Sequence, residues 1–238
     1  MDLIFNGKKY PSLSEYILLE KENGQSLYGK RLEFAHEIDS SIINALNEPH
    51  VQNAVNKFAD LLVNFESGTE ISSGIVIDSY NFPDINNILK HCCKTLGIKI
   101  PHAVVSARMP GINAYASGTA DNPYLLISDL ATHLLSKEEL TFIIGHECGH
   151  IAMEHLVYHL IGKSLCQLGK FLPIVGPMLV KTVSLPINTW SRYSEITADR
   201  AGFLCCGDLK TSQRALMKLE SAFANVSDVD LDVYIEQS

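Results

Sequence analysis

The chain has 238 residues, 46% of them hydrophobic, which is enough to build a proper core and argues against disorder. Its formal charge is 19 − 27 = −8 and no Lys/Arg run stands out, so the basic footprint of a nucleic-acid binder is missing. Six cysteines, two pairs of them vicinal (Cys92-Cys93 and Cys205-Cys206), match neither a disulfide framework nor a C-x-x-C zinc ribbon, and read as reduced, packed thiols.

In chain order, Met1 to Lys9 carries an early acid and no long apolar stretch, unlike a secretory signal, so a cytoplasmic location is expected. Two helical stripes follow, Ala35, Ile38, Ile42 and Ala45, then Val51, Val55, Phe58, Leu62 and Phe65, separated by Asn47-Glu48-Pro49. A Ser/Gly-rich stretch from Ser67 to Gly74 is the best domain boundary. It divides an N-terminal helical segment, 1–74, from a second domain, 75–238. Pro83 then opens a helix that Gly97 closes, with Ile85, Ile88, Leu89, Cys92 and Leu96 inward.

Three short β-prone runs, Ala103–Ala107, Asn113–Ser117 and Tyr124–Ser128, suggest a small, mostly antiparallel sheet. Ser136-Lys137-Glu138-Glu139 has capping-box form, so a helix anchored by Leu140, Ile143 and Ile144 begins there. Further helices are expected from about Asn188 to Cys206, ending at Gly207, and over Ala215, Leu216, Leu219, Ala222 and Phe223. Asp228, Asp230 and Asp232 lack the Gly and terminal Glu of a calcium loop and read as a solvated tail. Between Leu156 and Trp190 the chain is apolar on average. Lys163, Lys170 and Lys181, with Pro173, Pro177 and Pro186, cut it into pieces shorter than the ~18 to 20 apolar residues of a membrane span, and peripheral membrane contact is the lesser alternative for it.

The chemistry lies in His146-Glu147-Cys148-Gly149-His150. On a helix, imidazoles four apart share one face and converge on one Zn²⁺, with Glu147 beside the water that such a site keeps. A catalytic zinc site needs a third protein ligand. The pattern with a third histidine would require Gly at Met153 and His at Leu156, and both positions fail. His155 and His159 read as helix-surface or packing residues. A separate segment, Ser191 to Gly202, offers Glu195 as the third ligand. It places Asp199 one turn later, where a carboxylate can accept from a ligand imidazole and fix its tautomer, and Ala198, Ala201 and Gly202 allow close helix approach. Cys148, inside the motif, reads as a small packed side chain.

At these residues the chain resembles metallopeptidase family 48, the HtpX-like and CAAX-prenyl-protease gluzincins. Gly145 to Ile151 is similar to the family's zinc helix, Glu195 to Gly202 to its E-x-x-A-D-R-x-G helix, and Asn113-Ala114-Tyr115-Ala116 to its edge strand. The resemblance covers roughly Ile85 to Ala222. It implies an α+β, mostly helical zincin-like domain with a small antiparallel sheet, to which the N-terminal helices are added. It also implies one Zn²⁺ per chain held by His146, His150 and Glu195, with Glu147 as general base and Asp199 orienting a ligand histidine. Asn113, Ala114, Tyr115 and Ala116 would hold a peptide substrate by main-chain pairing. The function so implied is a zinc-dependent endopeptidase acting on peptide or protein substrates. The alternative is a latent or non-catalytic zinc-stabilised regulatory module whose cleft the N-terminal helices cover.

Overall fold

The structure is a computed structural model that describes residues 3–5, 8–10, 35, 74–119, 121–156, 158–159, 176–223, 225–226 and 228–237. The expected N-terminal helices apart from Ala35, the Ser/Gly-rich boundary short of Gly74, and residues 157 and 160–175 of the apolar segment lie outside them. Ala35 is described, and it is buried within the main core cluster. Near the N-terminus, β1 (Leu3–Phe5) pairs antiparallel with β2 (Lys8–Tyr10), Phe5 opposite Lys8. The two residues between them are Asn6-Gly7, the strongest short hairpin signal a sequence carries, and the sequence reading passed over it.

A four-stranded sheet has the order β3-β4-β6-β5, from β3 (Ile75–Val76), β4 (His102–Ser106), β5 (Ala114–Gly118) and β6 (Pro123–Ser128). The β3–β4 and β5–β6 pairs are antiparallel, whereas the central β4–β6 pair is parallel. Parallel neighbours need a crossover between them, and here β5 lies within that connection, at the sheet's edge. Ala103, Val105, Leu125 and Ile127 point into the main core, and Val104, Tyr124 and Leu126 form a smaller cluster with Met109 and Tyr115. This alternation is the two-residue period of a strand.

The helices are α1 (Pro83–Leu96), α2 (Asp129–Leu134), α3 (Lys137–Ala152), α4 (Gly176–Cys206), α5 (Leu209–Ser221) and α6 (Leu231–Gln237). As expected, Pro83 opens α1 and Gly97, at φ 66°, closes it. The capping box of α3 is complete: the Ser136 side chain accepts from the Glu139 amide, and Glu139 accepts from the Ser136 amide. Such a cap is worth about 1 kcal/mol. The same Glu139 carboxylate binds Lys218 Nζ at 2.7 Å, and Lys218 also donates to the Leu134 carbonyl, which ties α5 to the start of α3.

Two expectations need correction. The α4 helix begins at Gly176 rather than near Asn188, because the helical backbone continues through Pro186. An internal proline removes one hydrogen bond and can kink a helix without ending it. Ala222 is the left-handed cap that stops α5 and Phe223 beyond it is exposed, so neither belongs to the buried face. Ser212 and Met217 are buried in their stead. Asp228, Asp230 and Asp232 are exposed, as expected of a solvated tail, and Asp230 also accepts from the Asp232 and Val233 amides and so caps the short helix α6. Among the described residues no helix is long and apolar enough to cross a membrane.

Candidate metal centre

Most of α3 is buried, since the helix lies between α1, α4, α5 and β5. Its crossing with α4 is close because three glycines face small or flat partners. A Cβ on Gly149 would lie 2.6 Å from Ala201 Cβ, one on Gly145 would lie 2.7 Å from Cys205 Cβ, and one on Gly202 would lie 2.7 Å from the Phe142 carbonyl. The sequence reading anticipated Ala198, Ala201 and Gly202 in this role but not the two glycines on α3. Cys148, wholly buried on the same helix, is a packed thiol whose proton its neighbour Cys93 and burial hold on.

This approach brings the side chains together. His146 Nε2 and His150 Nε2 are 3.2 Å apart, and Glu195 Oε2 lies 3.4 Å from the first and 3.7 Å from the second. Donors ~2.0 Å from one zinc ion at tetrahedral angles stand about 3.3 Å from each other. The triangle therefore has the size and the nitrogen–oxygen composition that such an ion takes. Among the described residues it is one of two groups able to hold a metal, the other being His150, His155 and His159. The histidines are largely buried while half of the Glu195 side chain is exposed, so the triangle opens to solvent on the α4 side.

Asp199, one turn beyond Glu195, accepts from His146 Nδ1 at 2.9 Å, which turns Nε2 of that ring toward the triangle. Burial works against a charge on His146. The hydrogen bonds to Asp199 and Glu195 and the nearby Glu147 carboxylate outweigh it and raise the ring from 6.5 to about 10. His150 goes the other way, held down to about 4, chiefly by burial. Burial alone would push Glu195 up, but its hydrogen bonds to the two imidazoles hold it well below the usual carboxylate range.

Glu147 is buried beside the triangle, and its Oε2 accepts from the Ala116 amide of β5 at 2.7 Å. The β5–β6 register explains this bond. The Ser128 amide donates to the Asn113 carbonyl, so the main-chain groups of Asn113, Tyr115 and Ser117 face β6 and those of Ala114, Ala116 and Gly118 face away. Asn113 is itself tethered, its amide donating to Ser128 Oγ.

Two residues read as surface or packing also reach the site. His155 is wholly buried with its Nδ1 3.0 Å from His150 Nδ1, and His159 Nε2 lies 3.1 Å from Ser194 Oγ and 3.9 Å from Glu195 Oε1. Buried Trp190 packs edge-on to His155 and tilted against His159. The available signal was a histidine five residues beyond the H-E-x-x-H string, a spacing that a straight helix does not bring to the metal-facing side.

The chain is similar to known proteases and metallopeptidases. The chain is 28% identical over 171 residues to "Plastoglobule-localized metallopeptidase 48, chloroplastic" of Arabidopsis thaliana, covering 71% of this chain and 49% of that protein. It is 29% identical over 162 residues to "Protease HtpX homolog" of Halobacterium salinarum, covering 60% and 56%. It is also 32% identical over 81 residues to "Uncharacterized metalloprotease YhfN" of Bacillus subtilis, covering 34% and 19%. The chain thus spans about half the length of the first two of these relatives. No solved structure matches it at a significant level. Residues 79–227 match the family model described as Peptidase family M48, a stretch that contains the sheet strands β4 to β6, the α3–α4 crossing and all three donors. With well over half of its length matched in this way, the chain belongs to peptidase family M48.

Proposed function

We propose that the chain is a zinc-dependent endopeptidase in which His146, His150 and Glu195 hold one Zn²⁺ and Glu147 is the general base. The observation that carries this reading is the triangle of donors at 3.2, 3.4 and 3.7 Å with a buried carboxylate next to it. When bound, Zn²⁺ supplies Lewis acidity, polarising a carbonyl and acidifying water.

The remaining work falls to the protein. Glu147 takes a proton from the attacking water and passes it to the departing amine, a contribution typically worth about 10²- to 10⁴-fold in rate. The Ala116 amide fixes one oxygen of that carboxylate and so sets its orientation. Asp199 keeps the proton of His146 on Nδ1. A peptide in extended form pairs with the outward side of β5 at the main chain of Ala114 and the Ala116 carbonyl, since Asn113 and Tyr115 turn theirs to β6, and this aligns its scissile bond beside Glu147 and favours unfolded protein segments as substrates.

The test is Glu147→Gln in the full chain, assayed for zinc content and for cleavage of an unfolded protein. Zinc is expected to stay while cleavage falls at least about 100-fold. Cleavage at the wild-type rate by a folded, zinc-loaded variant would refute the assignment.

A further inference from the structure

The α3 helix does not run on into His155. It stops at Ala152, Glu154 takes a left-handed backbone at φ 61°, the Glu154 amide donates to the Ile151 carbonyl, and the His155 amide donates to the His150 carbonyl at 3.0 Å. Those two bonds spanning a left-handed residue make a Schellman turn, a motif that ordinarily places glycine where Glu154 stands. A side chain in that conformation carries a steric cost that glycine would not, and strain that persists invites the question of what it positions.

The turn folds His155 back beneath the helix it has just left. Its Nδ1 comes to 3.0 Å from His150 Nδ1, its ring is wholly buried, and Trp190 of α4 meets it edge-on at 5.4 Å. Trp190 lies five residues before Glu195, so the helix that presents the carboxylate also holds His155 in place. A neutral imidazole has one N–H and one lone pair. With its proton on Nδ1, His150 aims its lone pair from Nε2 at His146 and Glu195, and with the opposite tautomer it offers the triangle no donor.

We propose that His155 is the positioning residue for His150, accepting the Nδ1 proton in its own Nε2–H tautomer and thereby keeping the His150 Nε2 lone pair turned to the metal. Asp199 serves His146, and His155 serves His150. The group His150, His155 and His159 is also compact enough to hold an ion of its own. With His150 a neutral imidazole it cannot do so beside the first, because the single lone pair of that ring serves only one ion.

This inference rests on the zinc site proposed above, so the experiment separates the two. Zn²⁺ affinity is measured by competition with a chelator for the full-length wild type, His155→Leu and His155→Asn. In parallel, the ring-nitrogen NMR shifts of His150 and His155 are read in the zinc-loaded wild type. Loss of the acceptor in His155→Leu is expected to weaken zinc about 10- to 100-fold. The Asn variant, whose Oδ1 replaces the accepting nitrogen, is expected to stay within about threefold of wild type. The His150 proton is expected on Nδ1 and the His155 proton on Nε2. No zinc uptake by the wild type, or a His150 proton on Nε2, would overturn the site and this inference together. Wild-type affinity in His155→Leu, a His155 proton on Nδ1, or two ions per chain would overturn this inference and leave the site standing. If His155→Leu does not fold, the NMR readout on the wild type decides alone.

Discussion

The two walls of the cleft are built on different principles. On one side α3 and α4 cross so closely that glycine is required at the contact, and what they offer is side chains: two imidazoles, Glu147, Glu195 and Asp199. On the other side β5 is a sheet edge that offers main chain, and its link to the helical wall is the bond from the Ala116 amide to Glu147. The helical wall is specified by residue identity and the strand wall by register. A substitution on α3 or α4 is therefore expected to act through the fold and the metal together, and one on β5 through turnover alone.

The sharpest way to break that division is at Gly149. A Cβ there would meet Ala201 Cβ at 2.6 Å and the Ala198 backbone at 3.2 Å, and backbone has nowhere to retreat inside a helix. Gly149→Val is expected to destabilise the protein by about 3 kcal/mol, the upper end of the range for overpacking, and to lose zinc as His150 is forced away from Glu195. Thermal melts and metal content check both. An unchanged melting temperature would mean that the crossing is looser than these contacts imply.

On the strand wall, Ala116→Pro deletes the amide that Glu147 accepts from while leaving the β6 ladder intact, since that amide faces away from β6. Edge strands tolerate proline in such positions. A hydrogen bond to a charged group is worth about 1.5–3 kcal/mol, so kcat/KM is expected to fall about 10- to 100-fold with zinc retained. If zinc were lost as well, the two walls would not be separable in the way described.

The same division decides what could be read from residues alone. The H-E-x-x-H string, the Glu195–Asp199 pair and the capping box at Ser136 are local patterns with one physical meaning each; the structure starts α3 at the capping box and brings the other two together near the helix's far end. Whatever depended on the path of the chain between elements was not legible. The parallel pairing of β4 with β6 is a crossover choice that leaves no mark on either strand's composition. His155 falls one residue short of the third-histidine pattern and so reads as a surface or packing residue, whereas a Schellman turn with glutamate in place of glycine brings it to His150. Gly145 and Gly149 acquire meaning only once α4 is laid across them.

The two imidazoles of the helical wall also differ from each other, and pH exposes the difference. In metal-free protein His146, raised to about 10 by Asp199 and Glu195 against its burial, keeps its proton at neutral pH, while His150, held near 4 by burial, does not. An ion entering the triangle must therefore displace about one proton, not two. Its apparent affinity is expected to rise about tenfold per pH unit between pH 6 and 9, or about 1.4 kcal/mol per unit. In the absence of metal the sign reverses. The His146 interactions stabilise the fold fully below pH 6.5, and that contribution is lost as pH rises through about 10. Calorimetry of zinc binding in buffers of differing ionisation heat counts the protons released. A count near zero or two would contradict this asymmetry.

The smallest effect lies where α3 ends. Glu154 sits at φ 61°, where a side chain costs about 1–2 kcal/mol and glycine costs nothing. Glycine also frees the unfolded chain, which takes back about 0.4–1 kcal/mol, so Glu154→Gly is expected to stabilise the protein by about 0.5 kcal/mol. The Schellman bonds involve only main-chain atoms, from the Glu154 and His155 amides to Ile151 and His150, so they survive the change and His155 keeps its place beneath His150. A small rise in melting temperature with zinc affinity unchanged is therefore the expected result. A fall in zinc affinity would show that the Glu154 side chain, and not the turn alone, sets the position of His155, and would shift the origin of the arrangement from backbone geometry to a side-chain contact.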